Sequence, residues 1–342
     1  MAKTAQISSI RIGRRARVDE NLPNNWENID INTFTIPKDK KAVFMLGGNN
    51  TNRVEANNGN AKIVSTSLNE SNTDKTEVYS FMYETEPIRN SGEYLSAEYV
   101  KEAKALYQKV FKPILFDSKG RMKEPKGIEQ EFTRMVFVAH CGGCSFVDII
   151  IDEFYNTLLE KYPIGISELL IGKIKYIGYA PCELPRHNVN ALFITPYVDV
   201  NYSWAKAFEN AEREKVDVDY PRGVMTKLFT ARKKGSFQYS FDEELKNTRA
   251  IMFKTGNMTY FIPNQINPDK LIGDHSIDCI GKSKYWENPT EYAINGRLAN
   301  YAFKTYLNRF LNSRVVDMKE TFSNIARKIE SCNNKMYTIT KK

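Results

Sequence analysis

Short apolar runs closed by turn signals alternate along this chain with longer stretches whose apolar residues recur every three or four positions. KAVFML, from Lys41, reads as a buried strand, and the Gly-Gly-Asn-Asn after it opens an Asn-rich loop. EVYSFMYE, from Glu77, is a second strand. SAEYVKEAKALYQKVFKPI has apolar residues at helical spacing behind a Ser96 cap position, which predicts an amphipathic helix. A third strand ends at Ala139, and a helix is predicted from about 145 to 161, closed by Tyr162-Pro163. KIKYIGYAP and ALFITPYVDV add strands, whose alternating Tyr176, Tyr179, Phe193 and Tyr197 read as sheet packing. From 201 to 245 the pattern turns polar and helical, as in a lid or insertion. RAIMFKTGNMTYFIP returns to strand character, and a last helix is predicted from about 289 to 313.

Strands alternating with helices predict an α/β fold: a three-layer sandwich around a mostly parallel central sheet, with a helical lid insertion at about 201–248. On this reading residues 1–40 form an irregular N-terminal arm, 41–312 the domain, and 313–342 a Lys-rich helical tail.

Composition narrows the function classes. With 342 residues and 42% apolar content the chain can build a proper core. Its formal charge of +8 is spread among many carboxylates with no run of five like charges. Zinc-finger spacing, a basic heptad region and an aromatic RNA-binding strand are all missing, so no nucleic-acid partner is expected. The basic TARKKG segment reads as a solvated lid face, or as a weak contact with an anionic surface. The N-terminus lacks the apolar core of roughly 7–15 residues that a secretory signal needs. No uncharged apolar run approaches the ~20 residues of a membrane span. The expectation is a cytoplasmic protein, or one exported without a cleaved signal. An Asn-, Lys- and Ile-rich composition fits an AT-rich bacterial genome and, with the lysine-ending tail, a secreted effector. Five cysteines, odd in number and scattered, do not form a disulfide framework.

The candidate chemistry sits at Ala139-His140-Cys141-Gly142-Gly143. A sharp strand-to-helix turn imposes strained backbone angles on its central residue and admits only small neighbours two positions away, here Ala139 and Gly143. Cys141 therefore fits a nucleophile elbow. Three other readings compete. Cys141 and Cys144 form a C-x-x-C pair between strand and helix, similar to thioredoxin-like thiol oxidoreductases. Cys141, Cys144, Cys182 and His187 have ligand types suited to zinc, although cysteines directly after a buried strand are poorly placed for it. Lastly, both cysteines are small enough to be ordinary core residues.

On its elbow and order of elements, the sequence resembles the α/β-hydrolase superfamily with cysteine in place of the usual serine, over roughly residues 41–312. That resemblance implies a hydrolase or acyltransferase acting on an ester, thioester or amide, with a small-molecule or acylated substrate and no cofactor or metal. It places Cys141 as nucleophile, with oxyanion donors on the backbone of Gly142 and of Gly48 or Asn49 in FMLGGNN. LIGDHSIDCI resembles the segment that carries the base, which makes His275 that residue. The orienting acid would precede Pro263, where this chain has Asn257, with Asp199 and Asp274 as alternatives. An amide can orient the imidazole when the nucleophile is a readily ionised thiol. The opposing reading is a catalytically silent binding protein of the same fold.

Overall fold

The strands with the most continuous apolar runs, β3 (Lys41–Leu46) and β5 (Met135–His140), lie side by side in parallel, with Ala42 opposite Met135 and Leu46 opposite Ala139. The structure is a computed structural model that describes residues 11–15, 26–48, 54–83, 97–197, 199, 250–264, 266, 273–281 and 291–312. The expected lid at 201–248 and tail at 313–342 lie outside these residues. The chain divides into two units, Met1–Ala191 with Tyr306–Arg314, and Leu192–Thr305 with Val315–Lys342.

In the first unit the strands follow the order β2-β1-β4-β3-β5-β6, where β4 is Thr76–Met82 and β6 is Lys175–Tyr179. The four from β4 to β6 are parallel. The expected irregular arm instead supplies two antiparallel strands, β1 (Arg11–Arg15) and β2 (Trp26–Ile29), with Ile12 opposite Phe81 of β4. RIGRR carries no apolar run to announce a strand; an edge ladder needs only backbone N–H and C=O groups.

Helices cover both faces of this α/β sheet. The connection from β3 to β4 runs through α1 (Val54–Thr66) and the short α2 (Glu70–Thr73), toward one edge. The connection from β5 to β6 runs the opposite way through α5 (Gly142–Leu159) and α6 (Ile164–Ile171). Right-handed crossovers in opposite directions place α1 and α5 on opposite faces. They also open a crevice at the carboxyl ends of β3 and β5, where strand order reverses. The helix expected from Ser96 is α3 (Ala97–Leu106), but it widens into a π-turn at Tyr107–Phe111 and tightens to a 3-10 turn at Lys112–Leu115. Tyr107 there donates to Thr157 Oγ1 at 2.6 Å. After α4 (Pro125–Thr133) the chain enters β5.

Aromatic rings fill the core on the α5 side. Phe44 stands 5.8 Å from its in-register neighbour Phe137 and 5.0 Å from Phe111, and Phe154 of α5 closes on Phe132 at 5.0 Å. Such pairs add about 0.5–1.5 kcal/mol each to the area they bury.

β7 (Asn190–Ile194) leads from the first unit into the second. There β8 (Ala250–Thr255) and β9 (Met258–Pro263) form an antiparallel hairpin. The segment expected to be one strand is thus two, because Gly256-Asn257 makes a two-residue turn with Gly256 at φ +54°. The Thr195 and Tyr197 N–H groups donate to the carbonyls of Phe261 and Pro263 at 2.9 and 3.0 Å. The last helix, α7 (Glu291–Leu311), matches its expected span within two residues at each end.

Lys175 is a buried cation in the first unit, donating to the carbonyls of Thr133 at 2.7 Å and of Phe310, in the last turn of α7, at 2.5 Å. Burial, and secondarily Lys41, lowers its pKa from 10.5 to about 8. Between those values the unfolded chain binds the extra proton, so this group makes stability rise as pH climbs from about 8 to 10.5. Lys175→Met is expected to flatten that rise, which urea midpoints of both proteins across the interval will measure.

Candidate active site

Cys141 is the residue between β5 and α5, and its backbone stands at φ 52° and ψ −125°, angles that side-chain-bearing residues rarely adopt. Strain of this kind costs on the order of 1–3 kcal/mol and persists only where the surroundings enforce it. Its N–H donates to the Tyr179 carbonyl at 3.1 Å, and its carbonyl accepts the Cys144 N–H at 3.0 Å. Because a trans amide points its N–H opposite to its C=O, the second bond turns the Gly142 N–H out of the helix end. The expected helix start at about 145 is therefore corrected to Gly142. The glycine pair lets helical backbone begin directly beneath the β3 loop.

That loop makes the fit close. A Cβ on Gly143 would sit 2.4 Å from the carbonyl oxygens of both Leu46 and Gly47. A Cβ on Gly48 would sit 2.6 Å from Cys141 Cβ and 3.2 Å from its Sγ. The requirement for a small residue at 143 is thus a backbone contact, and Gly48 lies against the thiol-bearing residue. Asn49, the other expected donor in this loop, lies outside the described residues.

Two tyrosines that sequence reasoning missed hold the two glycine segments. Tyr83 donates to the Gly47 carbonyl, and Tyr99 donates to the Gly142 carbonyl at 2.5 Å. Both rings pack on Phe146 of α5, at 4.7 and 5.1 Å between centroids. Burial first, then Tyr83 and the thiols of Cys141 and Cys144, holds the Tyr99 hydroxyl well above its usual pKa, so it remains a donor. Fixing the Gly47 carbonyl fixes the Gly48 N–H in the same peptide plane. Nothing in the sequence separates these tyrosines from other core aromatics.

A second thiol faces Cys141. Its Sγ lies 3.6 Å from Cys182 Sγ, whereas the Cys144 thiol points to the Tyr179 carbonyl at 4.0 Å. Cys182 reaches this place because Ala180, just past β6, turns the chain at φ +46°. The loop after it is strapped to α5: the Arg186 N–H donates to Asp148 at 3.1 Å, and His187 Nε2 meets Asp152 Oδ1 at 2.8 Å. Among the described residues no three His, Cys, Asp or Glu side chains are grouped as metal ligands, and His187 is engaged with Asp152.

In the second unit His275 ends a 3-10 turn at Gly273–His275, and its Nδ1 lies 2.7 Å from Asp199 Oδ1, whose side chain is fully buried. Asp199, one of the expected alternatives, is thus the carboxylate bonded to His275, while Asn257, the residue the sequence pointed to first, sits in the exposed turn of the β8–β9 hairpin. Asp274, the other alternative, is buried and accepts the Ile266 N–H at 2.8 Å. No helix among the described residues is long and apolar enough to cross a membrane.

No family model and no curated protein matches this sequence. A solved structure of a protein called FAE is similar over 62% of this chain and 76% of that chain, with 10% identity and a TM-score of 0.29. A likeness of that size carries no weight for the function of this chain.

Gly143→Ala is expected to destabilise the protein by about 1–3 kcal/mol, because backbone carbonyls cannot step aside as a flexible side chain can. Urea unfolding of the variant beside Gly127→Ala, where the added carbon would meet only the Lys123 side chain at 3.4 Å or more, is the check. Asp148 carries the opposite pH signature to Lys175. Burial first, then Asp152, raises its pKa from 3.8 to about 7, so stability falls as pH rises through that window. Asp148→Asn keeps an acceptor for the Arg186 N–H. It should remove the fall and gain more than about 1 kcal/mol at pH 8, one pKa unit being worth about 1.4 kcal/mol.

Proposed function

We propose that this protein is a cysteine-dependent hydrolase or acyltransferase that acts on an ester, thioester or amide through Cys141, with His275 as base and Asp199 as its orienting acid. The observation that carries the reading is the strained backbone of Cys141 at the junction of a buried strand and an 18-residue helix. A structural cysteine gains nothing from such angles, whereas a nucleophile raised on a tight turn does. The N-terminus of that helix favours a thiolate, and its free N–H groups favour the oxyanion that forms on attack.

In this mechanism the Cys141 thiolate attacks the acyl carbon, and His275 takes the thiol proton and hands it to the leaving group. The N–H groups of Gly142 and Gly48 hold the oxyanion; Asn49 remains the alternative second donor. His275 then activates water, or the hydroxyl or amine of an acceptor, to release the acyl group. Asp199 bonds Nδ1, which assigns proton transfer to Nε2 and favours the imidazolium that appears in each step. Tyr83 and Tyr99 are positioning residues that act through the two glycine carbonyls.

Iodoacetamide labelling of Cys141 against pH, read by peptide mass spectrometry, tests the nucleophile, and a p-nitrophenyl ester screen tests turnover. The expected outcome is fast labelling below pH 7, slowed in His275→Ala but unchanged in Cys144→Ala, with an acyl adduct on Cys141. Asp199→Asn should lower kcat on the order of 10²-fold with little change in KM. Labelling with a midpoint near the free-thiol value of about 8.5, indifferent to His275 and with no adduct, would overturn the hydrolase in favour of a binding protein. Tyr83→Phe removes the hydroxyl on the Gly47 carbonyl. It should lower kcat while leaving the labelling profile of Cys141 in place, which a collapse of the fold would not do.

A further inference from the structure

We infer that Cys182 is a resolving thiol for Cys141: an oxidised Cys141 is captured by Cys182 as a reversible disulfide, which shields the nucleophile from irreversible oxidation. The inference rests on the reactivity proposed for Cys141, and not on the acyl chemistry.

The geometry points to Cys182 rather than to Cys144, the partner that the C-x-x-C spacing suggests. The Cys141 and Cys182 sulfurs are 3.6 Å apart, and both residues are 4% exposed. A disulfide needs about 2.05 Å between sulfurs, so the two must close by roughly 1.5 Å, a distance within reach of a side-chain rotation. The backbone on either side is already set. The Cys141 N–H is bonded to the Tyr179 carbonyl, and His140 is in register with Tyr179. The two residues next in line, Cys141 and Ala180, are the only non-glycine positions with positive φ among those described. One turn raises the nucleophile and the other folds Cys182 back toward it. Asp148 and Asp152 then tie the far end of the Cys182 loop to the helix that Cys141 begins.

The chemistry needs a hydroperoxide as oxidant. The Cys141 thiolate attacks the peroxide, the O–O bond breaks, an alcohol or water departs with a proton, and the sulfur becomes a sulfenic acid, oxidised by two electrons. The Cys182 thiol then attacks that sulfur. The S–S bond forms, the S–O bond breaks, and hydroxide leaves as water with the Cys182 proton. A dithiol returns two electrons and restores both thiols. Without a resolving thiol, the sulfenic acid stays exposed to further oxidation once peroxide is in excess.

The test treats the full chain with hydrogen peroxide and maps its peptides without reduction. The expected product is a Cys141–Cys182 linked peptide that dithiothreitol reverses. Cys144→Ser should give the same linkage within about twofold, since the Cys144 thiol is turned to the Tyr179 carbonyl. Cys182→Ser should give a Cys141 sulfenic acid that dimedone traps, passing to sulfinic acid at least tenfold faster than in the parent. Linkage of Cys141 to Cys144, a sulfenic acid that persists equally in parent and Cys182→Ser, or a Cys141 inert to peroxide would each overturn the inference. Thiol mapping reads no turnover, so the linkage can form where the ester screen fails, and an acylating Cys141 that never links to Cys182 sinks this inference alone.

Discussion

Two backbone segments approach each other more closely than any side chain permits where the loop after β3 crosses the first turn of α5. Gly143 lies beneath the carbonyls of Leu46 and Gly47, and Gly48 lies against Cys141. The first residue of α5 is consequently fixed in position from outside the helix. The chain must leave β5 at Ala139-His140 and enter the helix at Gly142, so a single residue makes the whole change of direction. The positive φ of Cys141 arises from that constraint. Strain of a few kcal/mol is small beside the contacts that impose it, with β5 buried on both sides and α5 buried along most of its length.

The polar accounts of this junction close in the same place. A helix start leaves N–H groups unpaired, and a loop at a sheet end leaves carbonyls unpaired. Tyr83 and Tyr99 satisfy two of the carbonyls from within an aromatic cluster that excludes water, so these bonds are made in surroundings of low dielectric. The Gly142 N–H, turned out of the helix end by the bond from Cys144 to the Cys141 carbonyl, lies at the carboxyl end of β5, where the reversal of strand order opens a crevice.

How much of this is legible in the sequence depends on the range of the interaction. The steric rule that frames Cys141 acts over two residues in either direction, and Ala139 and Gly143 announce it. The alternation of strands and helices announces the parallel sheet. The Asp199–His275 bond joins residues 76 apart, and the Cys141–Cys182 approach joins residues 41 apart. Neither spacing has a periodicity to mark it, which is why the sequence pointed to Asn257 before Asp199 and offered only Cys144 as a thiol partner for Cys141. The β8–β9 turn was readable in principle: Gly-Asn between two alternating apolar runs is a hairpin signal. The edge strands β1 and β2 were not, since their pairing rests on backbone groups that every sequence possesses.

The flank of α5 shows why a buried charge can survive near such a site. Asp148 and Asp152 sit one turn apart on the same helix, an arrangement that like charges disfavour. Two leucines there would make a better core. The acids instead hold the Arg186 N–H and the His187 ring, which brings the loop after β6 down onto the helix and with it Cys182 beside Cys141. An apolar pair would bury more surface but would fix neither the height nor the register of that loop, because apolar contact has no direction. Hydrogen bonds to a rigid helix have one. The hydrogen bonds of Asp148 and Asp152 therefore bear on the placement of one thiol against another, a matter of geometry rather than of folding free energy.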